Sequence, residues 1–214
     1  MTRGKEGWGA RGPRSRFSPG RTPFLVGAVG HFFAGVTSIA YGTLAAAWFP
    51  FFPFFSAPFL GLVLSVLLSL GLLLHSIGFL GFWRAYSMTM GASAFVLGLV
   101  APLVFLASSI VAFNSCGPPY YCYRALPGLA AILVIVSLIL LGVMFIADGA
   151  AFLFSRRFAR VPGESFAAGV LCIIGGILVA SVLLALLGGF FIAGSGLILG
   201  SVVLGKTRTT DGGS

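Results

Sequence analysis

Residues 58–83 read "PFLGLVLSVLLSLGLLLHSIGFLGFW", an apolar stretch in which His75 is the single titratable side chain. A bilayer with a hydrocarbon core of about 30 Å requires roughly 20 such residues in a spanning helix. A membrane β-strand would instead alternate apolar and polar residues over about ten positions. The stretch therefore predicts a transmembrane helix, and the rest of the chain repeats its pattern.

The composition of the whole chain agrees with this prediction. Of the 214 residues, 58% are hydrophobic and 8% are charged, whereas soluble domains carry about 25% charged residues. The formal net charge of +9 does not indicate a nucleic-acid partner, because the basic residues form short patches between apolar runs, as topology determinants do. The expected fold class is all-α, a polytopic transmembrane helical bundle in contact with the lipid bilayer.

Six spans are predicted between a basic N-terminal tail, for which disorder is expected, and a short C-terminal tail. The last apolar block, residues 165–205, is about twice as long as one span, so it is divided at Gly188–Gly189. Five spans remain the alternative. The predicted segments are a tail at 1–23, spans at about 24–48, 58–83, 88–113, 127–154, 165–187 and 189–205, and a tail at 206–214.

The positions of the basic residues predict the orientation. With six spans, every Lys and Arg except Arg124 falls on one side of the membrane, and the positive-inside rule makes that side cytoplasmic. Both termini are then cytoplasmic and the loop 114–126 lies on the outer face, most simply of the cell membrane. Five spans would instead place Lys206 and Arg208 outside, which favours six.

The loop 114–126 contains "SCGPPYYCYR", with Cys116 and Cys122 bracketing a Pro-Pro turn. An oxidising outer compartment permits a disulfide between them, and we predict one. Metal binding is less favoured, because two thiols without nearby His or carboxylate make an incomplete site. A catalytic dithiol would more typically have C-x-x-C spacing. Cys172, inside the fifth span, is predicted to be a small buried residue.

Small residues recur at helical spacing, which in lipid is a code for close helix packing. Gly27, His31 and Gly35 share one face of the first span, and a similar face in the sixth span holds Gly189, Ala193, Gly196 and Gly200. These faces predict a tight bundle and carry no information about function.

Three strongly polar, titratable residues lie inside the spans: His31, His75 and Asp148. At the helical rise of 1.5 Å per residue, each lies about 10 Å from the predicted cytoplasmic edge. A hydrogen-bonded clasp between helices is the first interpretation, and a cavity for a proton, an ion or a small polar substrate is the second. A haem b or quinone site using the two histidines is the third. We expect at least one histidine to reach Asp148, with His31 favoured and His75 the alternative.

The common catalytic motifs are missing from the sequence, including G-x-x-x-x-G-K-[ST], H-E-x-x-H and G-x-S-x-G. Four acidic residues are too few and too dispersed for a metal cage or a carboxylate pair. No catalytic residue, metal ligand or resident cofactor is predicted. The leading hypothesis is a structural or accessory subunit of a membrane assembly, with protein partners or homo-oligomers in the membrane. A small transporter or channel is the alternative, and a haem b or quinone-binding subunit is a further one.

Overall fold

The protein is all-helical in the part of the chain that the structure, a computed structural model, describes: residues 21–48, 57–86, 89–115, 128–156, 162–181 and 185–205. Side chains at the outer ends of some helices are not included in this description. The helices are α1 (Arg21–Trp48), α2 (Ala57–Tyr86), α3 (Thr89–Ser115), α4 (Gly128–Ser155), α5 (Pro162–Ala180) and α6 (Ala185–Gly205).

These segments are helical because an apolar environment leaves backbone N–H and C=O groups no partner except each other. Local signals mark some of the helix ends. α5 begins at Pro162, where the missing N–H costs nothing, and carries Glu164 in its first turn, where a negative charge suits the positive end of the helix dipole. Arg84 lies in the last turn of α2, where a cation is favourable for the same reason.

The six helices form a closed ring. Each helix packs against the preceding and the following one, and α6 returns to pack against α1. Where two neighbouring helices approach closely, residue numbers rise along one helix as they fall along the other. For example, Gly27 lies against Gly78 and Gly30 lies against Gly71. Neighbouring helices are therefore antiparallel, and the N-terminus of α1 lies at the same end as the C-termini of α2, α4 and α6.

Glycines allow the tightest contacts in the ring. A Cβ atom on Gly27 would lie 2.6 Å from Gly78 Cα, and one on Gly149 would lie 2.6 Å from the Gly169 carbonyl oxygen. In α6, Gly189 and Gly196 lie against α1, as the small-residue face predicts, but Gly200 has no atom within 4 Å of its Cβ position. The predicted packing face of α6 therefore ends before Gly200.

The predicted division of the last apolar block at Gly188–Gly189 is wrong. α5 ends at Ala180 and α6 begins at Ala185, so both glycines lie inside α6. They serve close packing and not a turn: a Cβ on Gly188 would lie 2.7 Å from the Gly175 oxygen, and one on Gly189 would lie 2.9 Å from Ile39 N. Because glycine has no side chain, it permits both a turn and a close contact between helices. The sequence alone therefore could not show which of the two roles these glycines have.

Large apolar side chains are exposed on the outside of every helix, among them Val29, Leu70, Val96, Leu129 and Phe190. Within the described residues, five helices contain stretches long and apolar enough to cross a membrane, and α6 contains a shorter apolar stretch, Leu187–Ser201. Such an outer surface is stable in hydrocarbon and not in water. The chain is a small integral membrane protein.

Several sequence predictions concern residues outside the described part of the chain. They include the Cys116–Cys122 disulfide and the state of most of the N-terminal tail. They stay predictions. The start of α1 at Arg21 places the predicted boundary at residue 23 slightly too late.

Candidate functional site: a buried chain of polar side chains

The structure brings His31, His75 and Asp148 together inside the ring. His75 Nε2 lies 3.0 Å from Asp148 Oδ2, and His31 Nδ1 lies 3.2 Å from both ring nitrogens of His75. All three side chains are buried, with at most 2% of any residue exposed. The shared depth read from the sequence therefore corresponds to direct contact between α1, α2 and α4.

His75 occupies the centre of the group, and this differs from the preference for His31 as the partner of Asp148. α2 is the neighbour of α1 in the ring. The imidazole of His75, on α2, lies between the side chains of His31 and Asp148. His31 reaches Asp148 only through His75. Sequence spacing places each residue on its own helix but does not determine which helices are adjacent.

Two further groups extend the chain, and sequence reasoning missed both. The Gly27 carbonyl oxygen lies 3.3 Å from His75 Nδ1. On the other side, Cys172 Sγ lies 3.9 Å from His31 Nε2 and donates to the Phe145 carbonyl oxygen at 3.3 Å. Cys172 is buried as predicted, but it is also the end of a polar chain that runs from α5 through α1 and α2 to α4. Its position ten residues into α5, level with the histidines, is the signal that could have identified it.

Aromatic rings enclose the polar chain. Phe145 and Phe152 stand nearly perpendicular to His31 at centroid distances of 6.0 and 6.1 Å, and Phe79 stands nearly perpendicular to His75 at 4.9 Å. Phe79 and Phe152 also lie against each other at 5.3 Å. Phenylalanine has no side-chain N–H, O–H or carbonyl group, so these rings fill space around the imidazoles without competing for their hydrogen bonds.

Asp148 is only half satisfied. Its Oδ2 atom bonds to His75, whereas Oδ1 is buried and has no hydrogen-bond partner among the described residues. Leaving a buried polar atom without a partner costs about 1–3 kcal/mol, and more for a charged one. The rest of the fold must offset this free-energy cost, which arises at Asp148.

Within the described part of the chain, His31 and His75 are not placed as a pair of axial haem ligands and do not belong to a metal-binding cluster. Among the described residues, no group of three or more His, Cys, Asp or Glu side chains converges on a point where a metal ion could be held. Two axial histidines on a haem iron must lie on opposite sides of a porphyrin plane. Here the two imidazoles contact each other, with ring centroids 4.3 Å apart, and no flat group could be inserted between them.

A second polar layer lies toward the opposite end of the ring. Ser108 donates to Ser137 at 3.0 Å between α3 and α4, and Ser69 donates to the Pro102 carbonyl oxygen at 3.1 Å between α2 and α3. The side chains of Tyr41 and Ser65 interact between α1 and α2. These residues are uncharged, so sequence analysis passed over them, although their hydroxyl groups link successive helices of the ring.

No protein-family model matches this chain, and neither the curated proteins nor the solved structures contain a match to it.

Proposed function

We propose that the protein is a structural or accessory subunit of a membrane assembly, without catalytic activity of its own, and that the chain from Cys172 to Asp148 fixes its helix arrangement. The observation that carries the proposal is the enclosure of the polar chain. Its members bond to each other and are walled by Phe79, Phe145 and Phe152. Polar groups used in this way stabilise one helix register over others.

The outer surface supports an assembly role. The side chains that face outward along the helices are mainly large and apolar, so they can contact lipid or other membrane proteins. An accessory subunit needs a rigid body and a surface of this kind, and it needs no reactive group accessible to a substrate. The leading partners are therefore other helical membrane proteins or further copies of this chain.

Isolation from the native membrane tests this proposal. The tagged protein is extracted in a mild detergent after cross-linking in the membrane, and its mass and companions are determined by native mass spectrometry. We expect a defined complex of fixed stoichiometry. A monomer without companions, in the presence and absence of cross-linker, would contradict the assembly role.

The antiparallel ring also supports the orientation predicted from charge. Arg84 and Arg156 lie at the end of the ring that holds the N-terminus of α1, and every other Lys and Arg except Arg124 belongs to a segment that adjoins a helix end on that side. By the positive-inside rule this end faces the cytoplasm. A fluorescent protein that matures only in the cytoplasm should therefore light up when fused after Ser214. Fluorescence only when it is fused into the loop 114–126 would reverse the orientation.

A transporter or channel is the second candidate, and the observation that favours it is the buried Oδ1 atom of Asp148 without a partner. Ionisable groups of this kind inside a membrane often bind the transported ion or proton. Purified protein in liposomes containing a pH-sensitive dye distinguishes the two candidates. Proton flux that Asp148→Asn abolishes would favour transport, and flux equal to that of empty liposomes would favour the structural role.

A further inference from the structure

The Gly27 carbonyl oxygen determines the state of one nitrogen of His75. A carbonyl oxygen can only accept hydrogen bonds, and this one lies 3.3 Å from His75 Nδ1. Nδ1 must therefore carry a hydrogen for the contact to be favourable. His31 Nδ1 lies at one distance, 3.2 Å, from both ring nitrogens of His75, so these contacts do not fix the tautomer of His31.

The other nitrogen of His75 faces Asp148 Oδ2 at 3.0 Å. Two arrangements satisfy this contact. In one, His75 is an imidazolium that donates from Nε2 to an ionised Asp148; in the other, a protonated Asp148 donates from Oδ2 to neutral His75. Both arrangements contain the same number of protons, one more than an ionised Asp148 with a neutral His75.

We propose that the buried chain Asp148–His75–His31 is a binding site for one proton. The proposal rests on the structural role proposed above, in which these residues fix the helix arrangement. In addition to that role, they bind one proton. The bound proton makes the group electrically neutral as a whole, which matters because each member is buried and a net charge in hydrocarbon is costly.

The proton can occupy two positions without displacement of heavy atoms. In the imidazolium form, His75 carries a hydrogen on both ring nitrogens and Asp148 is ionised. Breaking the Nε2–H bond of His75 and forming an O–H bond at Asp148 Oδ2 leaves all three groups neutral. This transfer crosses a hydrogen-bond distance of 3.0 Å, so the proton can shift between α2 and α4.

No other described charge competes for this proton. α3 and α6 carry no titratable side chain. α5 contributes Cys172, whose thiol donates to the Phe145 oxygen, and Glu164, which lies in its first turn. Arg84 and Arg156 are exposed at the end of the ring. The proton count is therefore decided by the three members of the chain.

The sequence makes the proton count measurable without altering the site, because it contains two histidines, His31 and His75, and two aspartates, Asp148 and Asp211. The full chain is labelled with ¹⁵N in the histidine rings and ¹³C in the aspartate carboxyl groups and placed in lipid nanodiscs at neutral pH. Asp211→Asn, in the C-terminal tail, identifies the Asp148 carboxyl signal. His31→Asn identifies the ring signals of His75.

The expected spectra show one of two combinations. The first is imidazolium His75 with ionised Asp148, and the second is protonated Asp148 with two neutral histidines; fast exchange between them gives averaged shifts that sum to one proton. Two neutral histidines with an ionised Asp148 would overturn the proposal, as would one imidazolium with a protonated Asp148. These outcomes depend only on the number of protons bound. They neither support nor contradict the assembly role, which the cross-linking experiment tests separately.

Discussion

Asp148 combines one satisfied and one unsatisfied carboxylate oxygen in a fully buried position. Two substitutions of Asp148, by Asn and by Leu, change its charge and its hydrogen bond to His75 to different extents. Asn keeps the shape and one hydrogen bond to His75 Nε2, whereas Leu keeps only the approximate volume. This difference separates the value of the hydrogen bond from the value of the charge.

We expect Asp148→Asn to lower the free energy of unfolding by about 1 kcal/mol, because a neutral amide–imidazole hydrogen bond is weaker than a charge-assisted one. Asp148→Leu should lower it by about 3 kcal/mol, because it leaves a buried imidazole nitrogen without a partner. Unfolding in mixed detergent micelles, followed by circular dichroism, measures both. Equal losses for the two variants would show that the contact with His75 contributes nothing.

The two histidines should also differ in their contributions. His75 contacts Asp148, His31 and the Gly27 oxygen, whereas His31 contacts His75 and, more distantly, Cys172. Among the described residues, His75 is the only hydrogen-bond partner of Asp148, so His75→Leu should cost about 3–5 kcal/mol, as breaking a buried ion pair does. His31→Leu leaves the Asp148 contact in place and should cost at least about 1 kcal/mol less by the same reasoning. A larger loss for His31→Leu in the same unfolding assay would contradict the central position of His75.

At the level of helix pairs, glycine is required where the backbones meet and is dispensable elsewhere. A Cβ on Gly142 in α4 would lie 2.5 Å from Ala180 Cβ and 2.6 Å from the Gly176 oxygen in α5. A Cβ on Gly61 in α2 would meet no atom within 4 Å. Both glycines lie inside helices, so their substitution by Ala has the same intrinsic effect on helix formation.

We expect Gly142→Ala to destabilise the protein by about 1–3 kcal/mol, because backbone atoms cannot move aside as flexible side chains do. Gly61→Ala should be neutral or stabilising by up to about 1 kcal/mol, since Ala is the better helix former. Thermal unfolding of the two variants in one detergent gives the comparison. Similar losses at both positions would indicate that the α4–α5 contact is looser than the structure shows.

For the whole molecule, closure of the ring by α6 against α1 keeps the polar chain enclosed. Gly196 is one of the points of closure, since a Cβ there would lie 2.6 Å from Phe32 Cα. Cys172, on the neighbouring helix α5, is fully buried behind this contact. Its thiol therefore reports on whether the ring is closed.

Gly196→Val should force α6 away from α1 and raise the alkylation rate of Cys172 by a membrane-permeant maleimide, about tenfold if closure loses about 1.4 kcal/mol. Gly200→Val lies one turn further along α6, with no atom within 4 Å, and serves as the control with an unchanged rate. Peptide mass spectrometry measures the rate at Cys172. If neither variant changed it, the thiol would be protected by something other than ring closure.

The loop 114–126 is the subject of a further prediction about stability. We expect Cys116 and Cys122 to be disulfide-bonded, which for so short a loop stabilises the protein by about 2 kcal/mol. Alkylation of the denatured, non-reduced protein should modify Cys172 alone. Modification of all three cysteines before reduction would refute the disulfide.

The sequence by itself determined the number of helices and the shared level of their buried polar residues, but not the break between α5 and α6. Hydrocarbon leaves the backbone no alternative to the helix, and the constant rise per residue converts the positions of His31, His75 and Asp148 into a common level. Both results depend only on the chain and the lipid, so neither required knowledge of which helices are neighbours.

Only the tertiary structure decided which groups touch. His75 is central because α2 lies beside α1 in a ring that faces α4 across the interior. Cys172 joins the chain because α5 lies near α1 at the same level, and Gly188 proved to be a packing residue and not a break. Lipid tails are about as apolar as the apolar faces of the helices, so a helix gains little by burying such a face against another helix. Hydrophobic periodicity therefore does not specify which helices are neighbours. Steric fit at glycines such as Gly27 and Gly149, and hydrogen bonds between buried polar groups, made that choice.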